Sequence, residues 1–346
     1  MITQFIRGIG TAVPEHIVGQ ADVRTVVQSL FGGSSAEVAR LLAVFDHDHI
    51  EQRHFAMPLS WYAEEHTWAE QNEVWRTQAI ALAVESANRA IQDAGISAKE
   101  VDRIVIASTT GFATPSIDVE VMMQLGCKAT TARLPVVGLG CAGGVAGLRH
   151  AASWNGTVLF IAVEICTVTF QKGDPSKSNI VGTSLFADGA AAVVMSPEHD
   201  GGGRLAIRGG HSVVFPGTED IMGWDIQDSG LKVRFRRDIP AFVEQHSAGV
   251  LTEACLEWGI RRSDIQSVIA HPGGAKVLQA LALTYGFSGP CINDAADVLR
   301  MHGNMSSPTV LFVLQRAITR GLETGYHVMS ALGPGFSSEH VLLEVV

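Results

Sequence analysis

Three residues of this 346-residue chain combine side chains that do chemistry with local sequences that would present them. Cys141 lies in Val137-Gly138-Leu139-Gly140-Cys141-Ala142-Gly143-Gly144, which reads as a strand, a glycine turn and the start of a helix. A helix start offers unpaired N–H groups and the positive end of the peptide dipole, and both favour a thiolate. The glycines let other groups approach the sulfur. His271 closes an apolar run in Ile269-Ala270-His271-Pro272-Gly273-Gly274, and open α/β sheets bind ligands off the carboxyl ends of their strands. Asn304 stands in His302-Gly303-Asn304-Met305-Ser306-Ser307-Pro308. A thiol, an imidazole that moves protons and an amide that donates hydrogen bonds make a nucleophilic set.

Each residue also has a plainer explanation. Cys141 could be a buried cysteine in a small-residue helix, and His271 one loop histidine among 13. Asn304 could be an N-cap, accepting from the first turn of the helix that follows. What joins them is position, because all three fall at strand or helix ends of a sequence that repeats itself.

In the first half, residues 76–94 place Ile80, Val84, Ala87 and Ile91 on one helical face, stopped by Gly95. An apolar strand over 104–107 follows. In the second half, Ala248, Leu251, Cys255 and Trp258 form a similar face, stopped by Gly259, and 268–270 is the matching strand. The apolar runs 158–163 and 190–195 recur as 327–331 and 341–346. Glu100 matches Asp264 at an offset of 164, and Cys141 matches Asn304 at an offset of 163. Alternating elements at a held offset predict an α/β fold of two duplicated halves, 1–200 and 201–346, related by a pseudo-twofold axis. The first half would carry Cys141 and the second His271 and Asn304, facing one another across the middle.

The bulk composition narrows the class. With 47% hydrophobic and 17% charged residues, the chain can bury a large core without staples. A net charge of −10 argues against a nucleic-acid partner. No apolar run reaches the ~18 residues that a membrane span needs. Met1 to Gly10 lacks the apolar region of a secretory signal, and five irregularly spaced cysteines contain no CxxC pair. The expectation is a cytoplasmic enzyme with reduced thiols and no structural zinc.

Four motifs point further: Gly138 to Gly144, Leu185-Phe186-Ala187-Asp188-Gly189-Ala190-Ala191-Ala192, His271 to Gly274, and Gly303 to Ser307. With them, and from about Phe5 to Val346, the chain resembles the type III polyketide synthases, the chalcone-synthase-like branch of the thiolase superfamily. The closing Gly333-Pro334-Gly335 resembles that family's active-site loop. The resemblance implies a five-layer αβαβα thiolase-like fold, a homodimer, and acyl-CoA and malonyl-CoA as substrates, with no metal or redox cofactor.

It also implies roles. Cys141 would hold a starter acyl group as a thioester. His271 and Asn304 would donate hydrogen bonds to the malonyl thioester oxygen as carbon dioxide leaves, and such donors are worth about 2.7–4 kcal/mol each. Repeated condensation would end in a pyrone or a phenolic, resorcinol-type ring. Phe186 matches the family's gatekeeper aromatic. Thr109, Cys166, Thr169 and Ser306 match cavity-lining positions, and Gly273, Gly274, Gly333, Pro334 and Gly335 would border the substrate.

Three departures accompany these matches. Val233 stands where the plant enzymes have a second gatekeeper aromatic. Their CoA-gripping basic cluster lacks an arginine around Ala43, leaving Arg40, His47 and Arg53 as substitutes. Thr114 replaces the methionine that reaches into the neighbouring subunit's cavity. Together they imply a bacterial-type enzyme using an aliphatic starter or malonyl-CoA alone. Two other readings stay open: a single-round 3-ketoacyl synthase, whose histidine motif differs from His-Pro-Gly-Gly, and a non-catalytic partner subunit.

Overall fold

The computed structural model describes residues 3–31, 40–47, 49–197, 205–236 and 239–346. The expected boundary between residues 200 and 201 lies outside them. The first-half strands are β1 (Gln4–Ala12), β2 (His16–Gly19), β3 (Gln52–Phe55), β4 (Arg103–Ala107), β5 (Ala132–Val136), β6 (Val158–Ile165) and β7 (Asp188–Ser196). They are followed by β8 (Leu205–Val214), β9 (Met222–Gln227), β10 (Gly230–Phe235), β11 (Ile265–Ala270), β12 (Gly325–Gly333) and β13 (Ser337–Val345). Among the described residues, nine of these form one sheet in the order β11-β12-β13-β8-β1-β7-β6-β4-β5.

That order contains the same pattern twice. β4-β6-β7-β1 and β11-β12-β13-β8 each run as one parallel pair and two antiparallel pairs. They join where β1 and β8 pair antiparallel at Phe5 and Ala206. The repeat inferred from the residue offsets is therefore a repeat of topology.

Helices fill the space on both sides. They are α1 (Gln20–Leu30), α2 (Trp68–Asp93), α3 (Asp118–Leu125), α4 (Gly143–Ala152), α5 (Lys177–Leu185), α6 (Ile239–Trp258), α7 (Ala275–Tyr285), α8 (Pro290–His302) and α9 (Thr309–Arg320). α2 covers the outer face of β1, β6 and β7, and α6 lies outside β8 and β13 with α7 against it. Between the two sheet halves run α4, against β6 and β13, and α9, against β7 and β11. The layers read αβαβα.

Alternation along the strands explains the arrangement. Ile104 and Ile106 of β4 join the core under α2, while Val105 and Ala107 join the core around α4. Leu159, Ile161 and Val163 of β6 face the first core, and Phe160 and Ala162 the second. Strands buried on both faces read in sequence as unbroken apolar runs.

The glycine stops also hold, with α2 ending before Gly95 and α6 before Gly259. α2 begins eight residues earlier than the expected residue 76, at a capping box of Thr67 and Glu70. Its first turns alternate buried and exposed positions less regularly, so helical periodicity alone placed the start too late.

Candidate active site

Cys141 sits in a 3-10 turn, Gly140–Ala142, that leads directly into α4. Gly140 takes a φ of +48°, and a Cβ there would come within 2.8 Å of Pro334. A Cβ at Gly333 would lie 2.5 Å from that of Ala142. The Gly333-Pro334-Gly335 loop, which links β12 to β13, is thus pressed against the cysteine turn, and only glycine permits the approach. Thr109 holds the turn from another side, its Oγ1 accepting from the Gly140 amide at 3.2 Å.

The Cys141 thiol is buried and bonds to the side chains of Ser306 and Asn304. Burial pushes its pKa up to about 11, helped by the nearby Glu164 and opposed by Ser306 and Asn304. The expected thiolate is therefore not the resting form. Desolvation of the charged sulfur outweighs the dipole end of α4.

Asn304 is fixed by four hydrogen bonds. Its amide donates to Leu185 O at 2.8 Å, and its carbonyl accepts from Ala187 N at 3.0 Å, making a parallel bridge with Phe186. Its side-chain Nδ2 donates to Gly273 O at 3.0 Å, and its Oδ1 accepts from Ser306 N at 2.8 Å. The N-cap explanation fails, because α9 starts at Thr309 behind Pro308. The side chain is oriented by loop backbone instead, with its second amide hydrogen on the Cys141 side. Ser306, next to it, holds a positive φ of 61°.

His271 extends the β11–β12 ladder by one residue, donating its amide to Ser330 O at 2.8 Å. A tight turn follows, with Gly273 N donating to His271 O at 3.0 Å. The ring is 4% exposed, and neither of its nitrogens has a partner among the described residues. Burial lowers its pKa to about 4, so the imidazole is neutral near pH 7. Gly273 O, held by Asn304, ties this loop to the cysteine side of the site.

One buried group was not anticipated. Glu164 of β6 accepts at Oε2 from Thr109 N (2.9 Å), Thr110 N (3.1 Å) and Thr110 Oγ1 (2.8 Å). Its Oε1 accepts from Ser307 Oγ at 2.9 Å. Burial raises its pKa to about 7, against the pull of those donors. The signal was present in the sequence as a lone carboxylate inside an eight-residue apolar strand, where a charge needs partners.

Arg53 proves not to be a substitute for CoA-gripping residues. It has no exposed surface, and its Nη1 donates to the carbonyls of Thr183 (2.6 Å) and Phe186 (2.7 Å) at the end of α5. A guanidinium there satisfies helix-end carbonyls and supports the Phe186–Asn304 bridge. Arg40, His47 and Thr114 are exposed.

Phe186 packs against Trp224 and Phe235, with ring centres 5.9 and 5.6 Å away. Beside it opens a narrow, mainly apolar cavity of about 40 Å³, bordered by Cys166, Thr169, Phe186, Val233 and the valines of α1. Thr109 and Ser306 border the Cys141 turn, through Gly140 N and the Cys141 thiol. The two spaces are adjacent, since an ionised Cys141 would raise the pKa of the Cys166 thiol.

Comparison with known proteins agrees with this fold. The chain matches the model for chalcone and stilbene synthases, N-terminal domain, over residues 3–198, and the C-terminal domain over 207–346. It therefore belongs to the chalcone and stilbene synthase family. It is a type III polyketide synthase, an acyltransferase that condenses malonyl-CoA with acyl-CoA substrates. A putative chalcone synthase of Bacillus subtilis (strain 168) is 36% identical, over 98% of both chains. A 1,3,6,8-tetrahydroxynaphthalene synthase of Streptomyces peucetius subsp. caesius is 35% identical, over 98% of this chain and 92% of its own. Among solved structures, the tetrahydroxynaphthalene synthase of Streptomyces coelicolor superposes with a TM-score of 0.92 at 26% identity, over 99% of each chain. These neighbours share the thiolase fold. Among the described residues, no helix is long and apolar enough to cross a membrane.

Proposed function

We propose that Cys141 is the nucleophile of an iterative synthase that extends aliphatic acyl-CoA starters and closes them into pyrone or resorcinol-type rings. The buried His271 imidazole, with neither nitrogen partnered among the described residues, is the observation that carries this reading. A neutral ring can take a thiol proton at one nitrogen and donate from the other, and the Asn304 bond to Gly273 O ties its loop to the cysteine side. Cys141 Sγ attacks the starter thioester, its proton passes to His271, and the departing CoA thiolate takes that proton back. Malonyl-CoA then binds with its thioester oxygen accepting from His271 and Asn304. Carbon dioxide leaves, the enolate carbon attacks the Cys141 thioester, and the lengthened chain returns to CoA for another round.

The mainly apolar cavity beside Phe186 supports an aliphatic starter. A valine at position 233, in place of an aromatic, leaves its mouth wide. Division of the chain near residue 200 is supported by the family models, which end at 198 and resume at 207. A homodimer is supported by the edge strand β5, which has a neighbour on one side only, and by exposed Met123 and Val137 near it. The five free cysteines fit a reducing cytoplasm.

The test is mass spectrometry of products formed from labelled malonyl-CoA and acyl-CoA starters of graded length, with Cys141→Ala as control. Pyrones or phenolic rings holding several malonyl-derived units, absent in the control, are the expected result. Extension by one unit with every starter would move the assignment to the single-round synthase.

A further inference from the structure

A second thiol lies at the other end of β11 and β12 from His271, in a cavity of its own. The cavity is small, about 70 Å³, opens to solvent, and is bordered by Ser267, Cys291, Arg320 and His327 among others. Cys291 follows Pro290 in the first turn of α8, at the positive end of a 13-residue helix.

Its surroundings are ordered as a proton path. Cys291 Sγ donates to Ser267 Oγ at 3.2 Å, and Ser267 Oγ lies 2.8 Å from His327 Nδ1. His327 Nε2 is 2.8 Å from the carbonyl oxygen of Glu323. A carbonyl only accepts, so Nε2 carries the hydrogen and Nδ1 is the bare acceptor. The direction of every bond follows: thiol to hydroxyl, hydroxyl to imidazole. Burial holds the His327 pKa below its ordinary value, which keeps that acceptor unprotonated near pH 7. On the far side of the sulfur, Arg320 Nη2 stands 3.2 Å away, steadied by Asp294 at 3.0 and 3.1 Å. A departing proton thus has a route, and the charge it leaves has a guanidinium and a helix end.

We propose that Cys291 is a site of reversible S-thiolation by low-molecular-weight disulfides, separate from the polyketide chemistry. The Sγ proton passes to Ser267, whose own proton passes to His327. The thiolate attacks one sulfur of the disulfide, a new S–S bond forms as the old one breaks, and the other half leaves as a thiolate. That thiolate takes a proton from solvent, to which His327 gives up the one it accepted, and Cys291 is oxidised as the reagent is reduced. Reverse exchange with a free thiol restores it.

The other cysteines lack this setting. Burial, and then the charges of Glu164 and Asp188, raise the pKa of Cys166. Cys127 is more exposed, but burial is the largest influence on it and no cation acts there.

The full-length protein is incubated with glutathione disulfide at a series of pH values, quenched with acid and mapped by unreduced peptide mass spectrometry. Cys291 is expected to acquire the adduct ahead of Cys127 and to lose it on treatment with dithiothreitol. Ser267→Ala, which removes only the relay oxygen, and Arg320→Gln should each slow the labelling roughly ten-fold, with Arg320→Lys recovering part of the rate. Far-ultraviolet circular dichroism and melting temperature confirm that the variants are folded. Labelling of Cys127 before Cys291 would overturn the proposal, as would a Cys291 rate unchanged in folded Ser267→Ala. In either case the cluster would be packing alone.

Discussion

β4 ends at Ala107 and hands on to Ser108, whose amide bonds to β5, while β11 ends at Ala270 and hands on to His271, whose amide bonds to β12. In each half, 33 residues further on, comes the head of a central-layer segment: Cys141 in one, Asn304 in the other. The scaffolds correspond, yet the side chains are used differently. Ser108 Oγ already accepts from the Trp75 indole at 3.3 Å, so that position is closed by packing. His271 has no such partner. Cys141 turns straight into its helix, whereas Asn304 stands five residues before α9 and bonds across to the other half. A duplicated fold supplies equivalent positions, and the chemistry comes from breaking their equivalence.

The sharpest way to break the comparison is to make the two helix heads alike. Cys141→Ala should lower polyketide formation by roughly a thousand-fold or more, measured with labelled malonyl-CoA. Decarboxylation of malonyl-CoA should persist, because both proposed donors remain. Asn304→Ala should instead lower decarboxylation itself, by about 100- to 1,000-fold for one lost oxyanion donor. Its bridge to Phe186 is made by backbone and survives the change. Equal loss of decarboxylation in the two variants would erase the proposed division of labour.

The next effect concerns stability. Glu164 has a native pKa of about 7, above the ordinary carboxylate range, so the folded state holds its proton more tightly than the unfolded chain. Its contribution is fully present below the ordinary range, falls as pH rises towards 7, and is constant above. The change amounts to about 3 kcal/mol. Glu164→Gln can keep three acceptor contacts with its carbonyl oxygen and reverse the bond to Ser307. Denaturant midpoints from pH 5 to 8 should then lose this slope relative to the parent protein.

Smaller still, Gly333→Ala would drive a methyl group into Ala142 and should cost about 1–3 kcal/mol, seen as a lower melting temperature. Finest of all, Val233→Phe should shift starter preference towards shorter chains by several-fold in kcat/KM, since position 233 borders the apolar cavity. An unchanged preference would separate that cavity from the starter.

Much of this could be read from residues alone, and the reasons are physical. Strands buried on both faces wrote themselves as apolar runs, and glycines with positive φ after α2 and α6 marked the stops. Cys141, His271 and Asn304 were visible because element ends concentrate exposed backbone and convergent side chains. Tertiary use of side chains was harder to read. Arg53 looked like one more surface cation, and only the fold reveals that it fills the space beneath Gly303 and binds two carbonyls of α5. Asn304 fitted an N-cap because Asn before a helix commonly is one, and nothing local announces a bridge to residue 186. The thiol was expected to ionise at its helix end, a local effect that burial, a global one, reverses.

The bridge between Phe186 and Asn304 also bears on how the protein is made. A ribosome releases Cys141 long before residues 271, 304 and 333, so the nascent first half emerges without the imidazole, the amide or the loop that covers the cysteine turn. On the proposed roles, its sulfur then lacks its proton acceptor and its donors, and acyl-CoA in the surrounding cell meets a thiol alone. Competence would then arrive only when the residues from 271 onward have docked, coupling the onset of activity to the completion of synthesis.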